Sequence, residues 1–444
     1  MTAGQWISER VARLRPPRLK PDAARSTEER LRARLKQGDE AMSPRQLRQA
    51  MAQLKAVVDP LVSEIEGGRR AQAVMDWYAG AAPDHRRDLW LLMSERFMAD
   101  PQKVKRAQNE YLAAVGTPDE AAAEVRYRRA TVSPRRRLLQ RFSAHPRGIR
   151  FLVDLRAELQ AVLRSDPRLQ ALDVEMEYMF STWFDVGFLE LRRISWDSPA
   201  SLIEKLIRYE AVHDVRGWAD MKNRLDSDRR CYGFFHPSLA GEPLIFVEVA
   251  LVNDIAGSIT PLLDEAAAPA DLSKATTAIF YSISNTQVGL RGVSFGDSLI
   301  KRVVEALKEE FPRLRSFATL SPIPGLRAWL SKRAAPELLQ AWEKPGELSE
   351  KSPDRAALLQ WAARYLGQEL NDGVPLDPVA RFHLGNGARV ERLNWWGDPS
   401  PKGLKQSYGL MVNYLYDLAR LDKNRASLAA GKVPISGAIK ALYR

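Results

Sequence analysis

Ser321 stands at the head of Ser-Pro-Ile-Pro-Gly, residues 321–325, between the apolar stretches Phe317–Leu320 and Leu326–Leu330. Two prolines and a glycine in five residues exclude a helix interior or a central strand. The segment is a rigid turn with a hydroxyl at its start. On residue type alone two readings stand: a strand-to-helix connection, in which Ser321 is a turn residue, or a hydroxyl held still for chemistry. The five histidines are His85, His145, His213, His236 and His383, and no two lie at i, i+3 or i+4, so no compact His metal site is expected. His383 sits in Phe-His-Leu-Gly-Asn-Gly-Ala, residues 382–388. A lone imidazole there is either a core residue or an acid–base group working near neutral pH. Asn386-Gly387 reads as a turn. Tyr414 and Tyr416 lie in an aromatic-rich segment and read as core or cleft lining. His236 and Cys231 read as structural, and a single cysteine permits neither an intrachain disulfide nor a Cys-based zinc site.

Asn-Thr-Gln-Val-Gly-Leu-Arg-Gly-Val-Ser-Phe-Gly-Asp, residues 285–297, is the third stretch that could do chemistry. Gly289, Gly292 and Gly296 occupy a turn between a β-rich stretch and an amphipathic helix. Glycine lets the backbone approach a phosphate, and the N–H groups and dipole of a helix start favour an anion. The stretch is not a Walker A loop, because no Gly-Lys-Ser/Thr closes it, and its glycine spacing is wrong for a dinucleotide fingerprint. Alone, such a turn is structural as readily as functional.

These stretches lie in the second of two regions with different grammar. Ser26–Thr182 is helical in style, rich in Leu, Ala, Arg, Glu and Gln. Its breaks, among them Gly38–Pro44, Glu66–Gly68, Ala82–Asp84, Asp100-Pro101 and Thr117–Glu120, predict eight or nine short helices in a bundle or superhelix. Ser43-Pro44, Thr117-Pro118 and Ser133-Pro134 each place an N-cap residue before a proline at the first helical position. No titratable cluster stands out there, and the region reads as structural or oligomerising. From about Asp185 the pattern is α+β. Residues 243–252 and 277–284 read as adjacent strands of an antiparallel meander, and 315–320 as another strand. Residues 296–311 form a helix with Leu299, Ile300, Val303, Val304 and Leu307 as one apolar stripe. The expected division is 1–184, all-helical, and 185–444, catalytic.

The chain has 444 residues and a net charge of +12, from 67 basic and 55 acidic side chains. That charge favours anionic partners: nucleic acid, a membrane surface or a phosphorylated small molecule. No nucleic-acid-binding module is recognisable, and no apolar run reaches transmembrane length. The N-terminal segment lacks a secretory core and the C-terminal residues are no peroxisomal signal, so a cytoplasmic setting is expected.

Arg291, Gly292, Val293, Ser294, Phe295 and Gly296 resemble the pyrophosphate loop of GNAT acyltransferases, with Ser294 where the central glycine is usual. With residues 218–251, 278–304, 320–330, 382–396 and 407–416 taken together, the C-terminal half resembles the malonyl-CoA decarboxylase family. The resemblance implies an N-terminal helical bundle followed by a GNAT-like mixed α/β catalytic domain, with assembly into homo-oligomers through the helical domain. It implies conversion of malonyl-CoA to acetyl-CoA and CO2 by a serine–histidine pair, Ser321 and His383. In that pair Ser321 is the proton acceptor, and Tyr416, or else Tyr414, lines the site. Arg291, Gly292, Val293, Ser294, Phe295, Gly296 and Asp297 would cradle the CoA. Some members carry a glutamate where this chain has Ser294. No metal or organic cofactor is expected, because the thioester carbonyl itself can accept the electrons released with CO2. The competing readings are a GNAT acyltransferase passing an acyl group to an amine, and a nucleic-acid-binding protein that is no enzyme. The motifs at 321–325 and 382–388 weigh against the first, and the missing binding module against the second.

Overall fold

A computed structural model of the chain describes residues 41–293 and 299–443. Its helical part contains α1 (Pro44–Val58), α2 (Glu64–Gly80), α3 (Pro83–Arg96), α4 (Pro101–Ala114), α5 (Glu120–Thr131), α6 (Pro134–Ser143), α7 (Gly148–Val162) and α8 (Gln170–Trp183). The capping rule works at Ser43: its Oγ accepts the Gln46 N–H, the Gln46 side chain accepts the Ser43 N–H, and Pro44 opens the helix. Pro134 likewise opens α6. Thr117-Pro118 does not open a helix. The Thr117 hydroxyl instead donates back to the Ala114 carbonyl at 2.7 Å, and α5 starts at Glu120. Nor is Glu66–Gly68 a break. Ser63 Oγ accepts the Glu66 N–H, and Glu64 and Glu66 lie in the first turn, where the helix dipole favours them, so the helix starts ahead of both glycines.

The chain packs as two compact units, the first ending at Arg141 and the second beginning at Phe142. The first is held by an apolar core that includes Leu54, Val57, Val74 and Met93. Buried polar ties add to it: the Met42 N–H donates to Asp88 Oδ2 at 2.7 Å, and Trp90 Nε1 donates to Tyr78 Oη at 3.1 Å. The second unit contains α7 and α8 together with the mixed α/β domain.

That domain is built on one sheet of eight strands: β1 (Glu190–Ile194), β2 (Arg229–Phe235), β3 (Pro243–Val252), β4 (Thr277–Asn285), β5 (Ser316–Thr319), β6 (Ser321–Pro322), β9 (Arg389–Asn394) and β10 (Met411–Leu415). A separate two-residue hairpin pairs β7 (Leu370–Asn371) with β8 (Val374–Pro375). Strands β3 and β4 pair antiparallel as expected, and β1 and β2, which the sequence reading did not include, extend them into a four-stranded meander. Every residue of β2 and all but the last of β3 are buried, as a near-continuous apolar run such as Pro-Leu-Ile-Phe-Val-Glu-Val-Ala-Leu-Val requires. The order then changes: β4 runs parallel to β5, with a helix in the connection, and β5 pairs antiparallel with β10. The helices of this part are α9 (Ala200–Tyr209), α10 (Trp218–Arg224), α11 (Leu299–Glu310), α12 (Leu326–Leu330), α13 (Pro336–Ala341), α14 (Pro353–Gly367) and α15 (Pro378–Gly385), with shorter ones beyond. On α11 the buried residues are the five of the predicted stripe, Leu299, Ile300, Val303, Val304 and Leu307. Helices α9 and α10 cover the meander through Ile203, Leu206 and Met221, packed with Cys231, Phe235 and Phe246. The fold is therefore a helical region followed by a mixed α/β domain. No helix among the described residues is long and apolar enough to cross a membrane.

Candidate active site

The parallel pairing of β4 with β5 ends at Phe280 and Thr319, and the Leu320 N–H still donates to the Phe280 carbonyl at 3.0 Å. Past that point β4 continues to Asn285 paired only with β3, while the neighbouring chain turns into β6, where Ser321 and Pro322 pair with Val412 and Met411 of β10. Ser-Pro of the rigid turn is thus a short strand rather than irregular chain. Pro322 is tolerated because β6 has only β10 as a partner. Where β4 and β6 part, a cavity of about 240 Å3 opens, lined by Phe280, Ile283 and Asn285 on one side and by Ser321, Pro322, Phe382 and His383 on the other.

His383 reaches this cavity from the last turn of α15, whose first turn is capped by Asp377: its Oδ1 accepts the N–H groups of Val379 at 2.9 Å and Ala380 at 3.0 Å. Asn386-Gly387 is indeed a turn. Asn386 follows the helix, Gly387 takes φ +86°, and the Gly387 and Ala388 N–H groups bond back to the carbonyls of Leu384 and His383. His383 Nε2 lies 3.3 Å from Ser321 Oγ, and Nδ1 lies 2.7 Å from Tyr416 Oη. Tyr416 follows β10 directly and is fixed by its own N–H, which donates to the Phe317 carbonyl at 2.8 Å. Ser321 Oγ donates to Thr319 Oγ1 at 2.9 Å. If Tyr416 donates to Nδ1 and Nε2–H donates to Ser321, each of these contacts holds one hydrogen, and the chain of bonds runs Tyr416, His383, Ser321, Thr319. Tyr414 packs flat on the imidazole, with centroids 4.7 Å apart and planes 26° apart.

All of these groups are buried. Burial pushes His383 down to about 3, so the imidazole is neutral, and it pushes the Tyr416 phenol up, so the phenol keeps its proton. The hydrogen-bonded chain is neutral, not a preformed ion pair.

The glycine-rich stretch lies beside it. Arg291, Gly292 and Val293 line a second cavity of about 430 Å3, which shares Ile245, Asn285 and Phe382 with the first. Arg291 follows a single turn of 3-10 helix at Val288–Leu290, Gly292 takes φ +84°, and Val293 is buried. Ser294, Phe295, Gly296 and Asp297 lie outside the described residues. Arg381 and Asn386 line the same cavity, and the Asn386 Oδ1 is buried without a hydrogen-bond partner.

What holds the loop is the feature sequence reasoning missed. Arg156 of α7 is buried, and its Nη1 donates to the carbonyls of Gly289 and Arg291, both at 2.9 Å. Its Nε pairs with Asp173 at 2.8 Å and its Nη2 with Glu177 at 3.1 Å, both on α8. A titratable cluster therefore exists in the helical stretch, divided between two helices and hidden by its spacing. Gly289 fits so closely under α7 that a Cβ on it would lie 1.9 Å from the Val153 carbonyl oxygen.

Comparison with known proteins gives the family of the chain. Residues 187–444 match the family described as malonyl-CoA decarboxylase C-terminal domain, and residues 97–184 match its N-terminal domain. The chain is 37% identical over 410 residues to the mitochondrial malonyl-CoA decarboxylase of Anser anser anser, covering 82% of this chain and 81% of the relative. It is 40% identical over 348 residues to that of Mus musculus, covering 70% and 71%. The solved structure of malonyl-CoA decarboxylase from Rhodopseudomonas palustris superposes with a TM-score of 0.80 at 40% identity, covering 89% of this chain and 99% of that one. Two matched domains that meet near residue 185, and relatives aligned over most of both lengths, carry the conclusion that the chain belongs to the malonyl-CoA decarboxylase family.

Proposed function

We propose that the chain converts malonyl-CoA to acetyl-CoA and CO2 with the side chains of Ser321, His383 and Tyr416, using neither metal nor organic cofactor. The observation that carries this reading is the Tyr416–His383–Ser321 chain of hydrogen bonds at the wall of a small cavity contiguous with the Arg291 loop. The larger cavity suits the CoA arm, with Arg291 and Arg381 available to its phosphates. The smaller cavity suits the malonyl group.

The chemistry then follows. The bond from C2 to the carboxylate carbon breaks, its electron pair enters the thioester as an enolate, and CO2 leaves. C2 takes one proton, so the net reaction consumes one proton from solvent. Apolar walls disfavour the carboxylate and favour its loss as neutral CO2. Ser321 Oγ hydrogen-bonds the carboxylate or the enolate oxygen. With the carboxylate bound, His383 takes up one proton from solvent, donates Nε2–H to C2 and is left neutral, which accounts for the one proton consumed, while Tyr416 keeps its own proton and holds Nδ1. A covalent acyl-serine is not needed.

The test is to supply malonyl-CoA to the purified protein and follow acetyl-CoA and CO2. Equal amounts of both are expected, with turnover falling about 100-fold or more in Ser321→Ala and His383→Ala while both variants stay folded. Tight CoA binding without CO2 release would instead point to acyl transfer, and near-normal turnover in either variant would remove the pair from the mechanism.

A further inference from the structure

Ser321 and His383 are 62 positions apart in the chain, on a turn and a helix that do not follow one another, yet they must meet to within a few tenths of an ångström. One buried carboxylate touches both supports. Asp377, 1% exposed, caps α15 with Oδ1, and its Oδ2 accepts the Gly325 N–H at 3.4 Å and the Tyr365 hydroxyl at 3.3 Å. Gly325 is the last residue of Ser-Pro-Ile-Pro-Gly, and α15 carries His383. Tyr365 comes from α14 and closes the arrangement from a third side. Gly325 has an ordinary φ of −91°, so backbone freedom is not why glycine stands there. Space is the reason: a Cβ would lie 2.1 Å from Tyr365 Oη and 3.5 Å from Asp377 Oδ2.

We propose that Asp377 is the positioning residue of the reacting pair, a clasp whose two oxygens separately hold the helix of His383 and the turn of Ser321. The inference rests on the reading of Ser321 and His383 as reacting groups. It adds that their distance is set by a third residue that touches neither.

Asp377→Asn separates the two jobs. Asparagine caps helices about as well as aspartate, so its one oxygen keeps the N–H groups of Val379 and Ala380. Its NH2 then faces the Gly325 N–H, donor against donor, and the tie to the turn is lost. The expected result is a kcat reduced on the order of 10- to 100-fold, as for a small misplacement of reacting groups, with KM for malonyl-CoA within about twofold because the CoA loop is untouched. The thermal midpoint should stay close to that of the parent. In the Ser321→Ala background the same substitution should cost nothing further, since there is no longer a pair to align. Gly325→Ala, which displaces Tyr365 without touching the cap, should show the same loss in kcat alone, and it serves as the measurement if Asp377→Asn does not fold. A kcat within twofold of the parent in the folded variants, or losses that multiply with Ser321→Ala, overturns the clasp. If Ser321→Ala and His383→Ala themselves turn over normally, the pair has failed as the reaction centre and the clasp falls with it. If they are inactive and Asp377→Asn is not impaired, the clasp alone is wrong.

Discussion

At His383 the environment decides the chemistry. An exposed imidazole titrates near 6.5, and burial pushes this one down to about 3, so the folded protein holds it neutral across the whole range in which enzymes usually work. The consequence for stability has a definite sign. Above 6.5 the imidazole is neutral in both folded and unfolded chains and contributes nothing. As pH falls below 6.5 the unfolded chain takes up a proton that the folded chain refuses, so stability is lost progressively until about pH 3. At pH 5 the loss from this group is about 2 kcal/mol. Urea unfolding at pH 7.5 and pH 5 should therefore show the parent losing about 2 kcal/mol more than His383→Gln. His213, pushed down to about 4 by burial, acts alike in both proteins and drops out of the difference. Equal losses would mean that water reaches the imidazole. Ser321 and His383 are singled out in sequence through the family resemblance, since on residue type alone a serine before proline reads as a turn residue and a lone histidine as a core residue. Thr319, Asp377 and the stacking of Tyr414 are not, because a threonine in a strand, an aspartate before a helix proline and a tyrosine in a β-run each already have an ordinary local explanation. What singles them out is a partner many positions away.

Helix α7 shows the same limit at the scale of an element. Its sequence is helical in style like the rest of the first half of the chain, and the breaks at His145–Gly148 and Asp166-Pro167 mark its limits. That it braces the candidate CoA loop is not readable, because Arg156 and the carbonyls it holds are separated by 133 and 135 positions. A second brace lies on the same helix: Arg150 Nη1 donates to Gln287 Oε1 at 2.7 Å, and Gln287 lines the loop cavity. The functional weight of α7 should show as a split between binding and chemistry. Arg156→Lys keeps a cation beside Asp173 but has no fork to span two carbonyls. It should raise KM for malonyl-CoA, and Kd for CoA, by roughly tenfold, while kcat stays within about threefold, because the Ser321–His383 pair is held elsewhere. Initial rates with a CoA titration check this. A fall in kcat at constant KM would mean that the loop positions the reacting groups and not the CoA arm. The strands are more legible than this contact for a physical reason. Buried strands announce themselves through β-branched and aromatic runs, and β3 and β4 lie within a few residues of 243–252 and 277–284.

Over the whole molecule the net charge of +12 is the property that no single site accounts for. On α5 much of it is a solvated face, as Arg128, 77% exposed beside Glu124, illustrates, whereas on α6 Arg135 and Arg141 are buried. The cavity beside the loop is different, because Arg291 and Arg381 both line it and both are exposed. A cleft of one sign concentrates field and raises the encounter rate with an oppositely charged substrate, an effect that salt screens within about 8 Å at physiological ionic strength. If malonyl-CoA is the substrate, its phosphates should feel this field far more than its single carboxylate. Raising sodium chloride from 20 to 200 mM should then lower kcat/KM for malonyl-CoA by roughly tenfold while leaving kcat nearly unchanged, because screening acts on capture and not on the buried hydrogen-bonded chain. Malonyl-pantetheine, which keeps the reacting thioester and lacks the phosphates, should show little salt dependence. The double substitution Arg291→Gln with Arg381→Gln should bring the slope for malonyl-CoA close to that of malonyl-pantetheine. Equal slopes for the two substrates in the parent protein would place the electrostatic attraction at the malonyl carboxylate and take the phosphate role away from the loop.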